Sequence, residues 1–570
     1  MIKLLLKIAP VTLVMLAAAQ AGAQQPAPLD IPDVAPRPVS QATMQDVTRM
    51  LSSDEFEGRA PGSVGEEKTI KLLTERFAKA GLKPGNGDSW LQQVPLVGIE
   101  ASNVSALTVT GGAAPLSFAY GTDMVLGSYR ETARTEVKDS DVVFVGYGIN
   151  APEKGWNDYA GLDVKGKTVI ILVNDPDYAS ERLTGEFGGK AMTYYGRWTY
   201  KYEEAARQGA AAALIVHDTV PAAYGWGVVE SSWTGTQFFA QSADKGASQT
   251  QANGWIQKDA AQKMLASTGQ DLTKLSAAAK TKGFKAVPLG LKASFSFDNA
   301  ITTTLSNNII GILPGAKRPD EYVLYTAHWD HLGRCKPAPD GDDICNGAVD
   351  NATGTAALVA LAETFAKAGA PDRSIVFLAV TAEESGLLGS AYYGQNPIYP
   401  LAQTVGGINM DAFLMAGPSR NVTVVGKGKS QLEDYLNAAL TSANRVASAD
   451  SSPQNGYYYR SDHFSLAKQG VPMLYIDGGE DLIDGGTAAG EAAAKDYTVN
   501  RYHGPKDEYN PDWDWSGVVA DLTLYYRIGR SLAMSTSWPN WVDGDEFRAT
   551  RDASRAASAA DAAATATAAN

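Results

Sequence analysis

Residues 375–380 read Ile-Val-Phe-Leu-Ala-Val, apolar at every position. A strand with one face in water alternates apolar and polar side chains; an unbroken apolar run is a strand covered on both faces. Covering both faces takes helices. The chain supplies them: residues 354–368 set Leu358, Leu361, Ala362 and Phe365 on one helical face, and residues 64–81 do the same with Ile70, Leu73 and Phe77 before Gly81. Residues 515–534 read as a closing helix, and strand-length runs recur at 322–327, 407–410 and 473–476. Strands alternating with helices predict an α/β fold with a mainly parallel central sheet flanked by helices.

At 570 residues the chain exceeds what one core serves, so more than one domain is expected. Residues 130–290 form the candidate insertion, with strand runs at 141–147, 168–173 and 212–216 and a helical stretch at 201–209. His217, closing the last run, reads as structural. The main domain is then split between 41–129 and 291–548. Residues 1–23 read as an export signal: Lys3 and Lys7, an apolar stretch, then Ala21-Gly22-Ala23. That stretch is shorter than the roughly 20 residues of a membrane span, so no stable membrane insertion is expected after cleavage, and the protein is expected to be periplasmic or secreted. Residues 24–40 carry five prolines and read as an extended leader. Residues 549–570 are Ala-rich, with a disordered or loosely helical tail expected.

Lys and Arg number 49 against 63 Asp and Glu, a net charge of −14 that becomes 47 − 63 = −16 once Lys3 and Lys7 are removed. Such a chain is a poor match for nucleic acid, and none is expected as a partner. Two cysteines exclude a Cys-rich zinc module. Of five histidines, four fall between 328 and 503.

That clustering coincides with strand ends. Thr-Ala-His-Trp-Asp places His328 and Asp330 after the 322–327 strand; Asp350 precedes the 354–368 helix. Glu383 and Glu384 follow the 375–380 strand, Asp411 follows 407–410, and His503 sits in a loop. Open α/β sheets build their sites outside the carboxyl ends of the strands. Two imidazoles and several carboxylates without cysteine suit zinc or a similar divalent ion. A metal pair needs one carboxylate able to bridge and one left free as a base. Each signal alone is common; the ordered set is not.

The set H-W-D, N-G-A-V-D-N-A-T-G, A-E-E-S-G-L-L-G-S, N-M-D, R-S-D-H and Y-H-G-P-K-D resembles the M28 family of zinc peptidases, over the 64–81 helix and most of 295–535. The resemblance implies the zinc exopeptidase fold and two zinc ions per chain. His328 and Asp411 would bind one, Glu384 and His503 the other, with Asp350 bridging. Glu383 would be the general base. Asp330 would hold the His328 ring through its second nitrogen. Tyr502, beside His503, resembles the family's oxyanion stabiliser. Arg460, Asp462 and His463 lie in a segment that lines the family's pocket, implying substrate binding. His331 has no role to carry over and reads as supporting or structural. The insertion is similar to a protease-associated (PA) domain, through D-V-V-F-V-G-Y-G, G-K-T-V-I-I-L-V and E-E-A-A-R-Q-G-A-A-A-A-L-I-V.

The separation of His328 and Asp350, 22 residues, is long for the family, and the added loop holds both cysteines. Export to an oxidising compartment predicts that Cys335 and Cys345 pair as a disulfide. The expected substrates are peptides, cut from the amino end. Free carboxylates near the metals match an α-amine, and within the matched motifs only Arg460 reads as a cleft arginine. Alternatives stay open: a carboxypeptidase or dipeptidase of the same fold, an M20-like amidohydrolase, a glutaminyl cyclase, or a receptor-like binding protein on the same scaffold.

Overall fold

The structure, a computed structural model, describes residues 28–335 and 337–568. The export signal at 1–23 lies outside the described residues.

The strand Arg373–Val380 is buried at every residue. Its side chains divide by parity: Ile375, Phe377 and Ala379 enter one core, Val376, Leu378 and Val380 the other. The first core is closed by Gln41–Leu51, Val64–Ala80, Gly354–Lys367 and Ser516–Met534, the second by Tyr393 and Leu466 from helices on the opposite face. Burial on both sides is why no polar residue interrupts the run. Arg373–Val380 pairs in parallel with Arg318–His328, which pairs in parallel with Thr404–Asn409, and that in turn with Met473–Gly478. Antiparallel neighbours flank this block, Val287–Leu313 on one side and Asn421–Val424 on the other. The carboxyl ends of the parallel strands therefore share one edge.

Local signals fix the helix that packs under this edge. Ser63 accepts from the Gly65 and Glu66 amides ahead of Val64–Ala80, and Gly81 ends it at φ 91°.

The inserted lobe is larger than residues 130–290. Leu107, Val109, Phe118, Met124 and Leu126 already share its core with Val142, Ile170, Leu214 and Ile256. They do so because Leu107–Thr110 pairs with Val287–Leu313, and Met124–Gly127 with Ala252–Gln257. The expected return point at 291 falls inside one continuous strand, Val287–Leu313, of 27 residues. Its first part pairs with Arg134–Phe144 of the lobe and its last with Arg373–Val380 of the main sheet. A turn-free β run gives no sequence sign of a domain crossing.

The Pro-rich leader has no regular secondary structure over 28–40, and it is docked. Ser531 donates to the Pro32 carbonyl and Arg527 to that of Val34. The Ala-rich end is a helix, Arg548–Ala568, anchored rather than loose over its first turns. Arg551 is buried and donates to the Thr404 carbonyl at 2.8 Å, and Arg555 lies 3.5 Å over the Trp538 ring. His217 is buried in the inserted lobe, its Nε2 3.0 Å from the Tyr224 carbonyl. Among the described residues, no helix is long and apolar enough to cross a membrane.

Cys335 and Cys345 form a disulfide with Cα atoms 5.9 Å apart, closing a hairpin in which Gly333 pairs with Cys345. Gly58 approaches that hairpin so closely that a Cβ would lie 2.5 Å from the Cys345 carbonyl oxygen, which stations the loop beside Arg59. Thiol labelling of denatured, unreduced protein is expected to find no free cysteine; two labelled thiols would show the pair reduced in solution.

Candidate metal centre

His328, the last residue of its strand, is 1% exposed. Its Nδ1 lies 3.1 Å from the Asp330 main-chain carbonyl. A carbonyl only accepts, so Nδ1 carries the proton and Nε2 presents its lone pair. That lone pair faces Asp411 Oδ1 at 3.2 Å and Asp350 Oδ1 at 3.3 Å. Asp330 meets the second ring nitrogen through its main-chain carbonyl; its Oδ1 stands 3.8 Å from Nδ1 and accepts the Glu383 amide at 3.1 Å. The short His-Trp-Asp turn brings the carbonyl to the ring first. Asp330 thus orients both His328 and Glu383, the first through its backbone and the second through its side chain.

Across Asp350 the pattern repeats. His503 Nε2 lies 3.2 Å from Asp350 Oδ2 and 3.0 Å from Glu384 Oε2. One oxygen of Asp350 faces each histidine. His331 adds its Nδ1 at 2.6 Å from Glu384 Oε1, so it positions that carboxylate. Ligand atoms of His328, Asp350 and Asp411 lie within 4.8 Å of one another, as do those of His331, Asp350 and Glu384. Nitrogen and carboxylate donors converging in two trios that share one aspartate fit a pair of zinc-like ions.

Partners that the sequence reading missed hold these turns. Asp507 accepts the Val349 and Asp350 amides, both at 3.0 Å, and the Tyr497 hydroxyl at 3.1 Å. Ser461 donates to Asp411 Oδ2 at 2.6 Å. Asn351 accepts from the Ala412 amide and donates to the Met410 carbonyl, tying the Asp350 turn to the Asp411 turn. Fully buried Arg59 donates to the carbonyls of Leu51, Trp329, Asn346 and Gly347. Asp507 was visible in Y-H-G-P-K-D; Arg59 had no strand-end signal. Ala382, Ala412 and His503 adopt φ of 53°, 57° and 55° beside Glu383, Asp411 and in the last ligand itself. Non-glycine residues take that conformation at a cost of about 1–3 kcal/mol each, which the surrounding hydrogen bonds offset.

The electrostatics separate the two adjacent glutamates. Burial pushes the Glu383 carboxyl well above its usual range, His328 opposing and Glu384 and Asp411 adding to it. Glu384 goes the other way, to about 2: burial raises it, but His503 and His331 outweigh that. Carboxyls pushed apart in this way suit a proton carrier beside a permanent anion. Burial lowers His503, yet Glu384 and Asp350 carry it up to about 10.

Of the other expected site residues, Tyr502 is 48% exposed and stacks its ring on His503 at 3.8 Å. Asp462 and His463 are each fully buried. Burial raises Asp462 to about 7, and the His463 ring sits 4.7 Å from Tyr458 and 4.8 Å from Tyr475, held neutral by burial with its pKa down at about 3. His463 opens a short helix. Arg460, two positions before Asp462, stays partly exposed.

Residues 308–527 match the family model of peptidase family M28. That segment belongs to the M28 family. It contains every ligand candidate from His328 to His503 and excludes Arg59 and most of the inserted lobe. Part of the chain is 29% identical over 193 residues to aminopeptidase NAALADL1 of Mus musculus, covering 33% of this chain and 24% of that protein. A probable zinc metalloprotease of Pyricularia oryzae is 34% identical over 105 residues, 18% of this chain and 20% of that one. The chain therefore spans a quarter or less of the length of these relatives. A solved aminopeptidase from Aneurinibacillus sp. strain AM-1 aligns over 87% of this chain and 93% of its own at 19% identity, with a TM-score of 0.47.

Proposed function

We propose that this chain is an exported metallopeptidase that holds two zinc ions and removes amino-terminal residues from peptides. The observation that carries the reading is Asp350, whose two carboxylate oxygens divide between His328 and His503 beside an elevated Glu383. The M28 match and the metalloprotease relative support a metallopeptidase, and the name of aminopeptidase NAALADL1 supports the amino-terminal direction.

His328 and Asp411 would hold one ion, Glu384 and His503 the other, and Asp350 both. When bound, such ions acidify a water and polarise the scissile carbonyl. Glu383 takes the proton of the attacking water on its carboxylate and returns it to the leaving amine, acting as base and then acid. Tyr502, half-exposed with its ring fixed on His503, offers its O–H to the developing oxyanion. Asp330 keeps the Glu383 main chain and the His328 tautomer in place. The Cys335–Cys345 bridge supports residence in an oxidising compartment, the periplasm or beyond. The inserted lobe is read as PA-like on its glycine-punctuated apolar strands.

The test is a peptide pair, one with a free amine and one N-acetylated, with metal content measured on the same sample. Turnover of the free-amine peptide at about two zinc per chain, and its loss on chelation, is expected. Cleavage of the acetylated peptide alone would overturn the direction, and full activity in metal-free protein the whole reading.

A further inference from the structure

Arg59 reaches four carbonyls, and Arg373 meets Glu321 and two carbonyls. Among the described residues four arginines keep a buried N–H without an acceptor. Arg445 and Arg501 still pair through another nitrogen with Asp521 and Asp496. Arg197, through Nε, and Arg460, through Nε and Nη2, are the other two. The two come from different lobes and meet where the lobes touch. The Met192 amide donates to the Pro453 carbonyl at 3.1 Å, and the Tyr194 ring packs on Tyr459 at 6.1 Å and Phe464 at 5.0 Å. These contacts bracket Arg197 on one side and Arg460 on the other.

Arg197 is lowered to about 9, by burial first and then by the like charge of Arg460; its other charged neighbours are Tyr224, Tyr194 and Tyr459, with no carboxylate among them. Arg460 lies 5.4 Å over the Tyr457 ring. Ser461, the next residue, donates to Asp411, so the pair sits beside the metal centre. Like-charged guanidiniums with idle, buried N–H donors repel one another until an anion comes between them. The planar forks suit a carboxylate, which accepts two parallel hydrogen bonds.

We propose that Arg197 and Arg460 form a carboxylate-binding subsite at the junction of the lobes, filled by a carboxylate of the peptide substrate. The inference rests on the peptidase reading above. The carboxylate is either the peptide's free C-terminus or an acidic side chain, and the same chemistry serves both.

The probes are Leu-Gly-Gly, its C-terminal amide, and Leu-Gly-Glu amide, with leucyl p-nitroanilide as a neutral reporter. Wild-type kcat/KM is expected to favour a carboxylate-bearing peptide over Leu-Gly-Gly amide by about tenfold or more, the scale of a hydrogen-bonded charge. Preference for the free acid assigns the C-terminus; preference for the Glu amide assigns the side chain. Arg197→Gln and Arg460→Gln are each expected to bring the ratio toward one. A wild-type ratio near one, which needs no variant, overturns the subsite, as does a ratio kept in both variants. Calorimetry with the D-leucyl twins reads the same preference without turnover. No turnover of any probe with that preference intact would sink the peptidase reading and leave the subsite standing.

Discussion

Glu383→Gln is expected to lower kcat by about two to four orders of magnitude, the usual contribution of a positioned acid–base group. Zinc content should stay near that of the wild type. Glutamine keeps the length of the side chain and cannot take a proton from water. The expectation rests on how the site treats the two neighbours, with Glu383 driven up and Glu384 down to about 2. Glu384→Gln should therefore weaken metal retention first. Parallel measurement of kcat and bound zinc separates the two, and a reversal of the two phenotypes would exchange their roles.

Asp350→Ala is expected to empty the whole centre. Partners that only orient a ligand cost about 10–100-fold in metal affinity when lost; a carboxylate shared between two ions should cost more than that at both. Elemental analysis after gel filtration should find less than half of the wild-type zinc, with activity at background. Circular dichroism should stay unchanged, because Asp507 holds the loop through the Val349 and Asp350 amides, which the substitution leaves in place. Retention of one full equivalent of zinc would show that Asp350 serves only one side.

The sheet and the strand-end donors of the candidate metal site were legible in the sequence for one reason; His331, which stands with Asp350 and Glu384 in the second trio, was not. Both depend on residues adjacent to apolar runs, whose meaning is fixed by burial. Ile375 to Val380 had to be covered on both faces, and His328, Glu383 and Asp411 had to emerge at their ends. What was not legible depends on direction. R-S-D-H leaves open which of its side chains are buried, and the structure buries Asp462 and His463 fully while Arg460 stays partly exposed. H-W-D does not say whether the carbonyl or the carboxylate of Asp330 meets the imidazole. Arg197 was out of reach altogether, because its meeting with Arg460 joins two lobes across 460 − 197 = 263 positions. The sequence argument for an amine-directed site counted arginines only within the matched motifs, and so missed that one.

The strand Val287–Leu313 does not end where the lobes meet, and Leu91–Ser102 runs antiparallel to it through the same crossing, from Ser102 opposite Asp298 to Leu91 opposite Ile309. A lobe hung on loops would swivel freely. This one is carried on a ribbon whose ladder must bend if the lobes are to part. Any parting of the lobes would have to flex that double strand, so the ladder of Leu91–Ser102 on Val287–Leu313 would act as a spring between them rather than as a hinge.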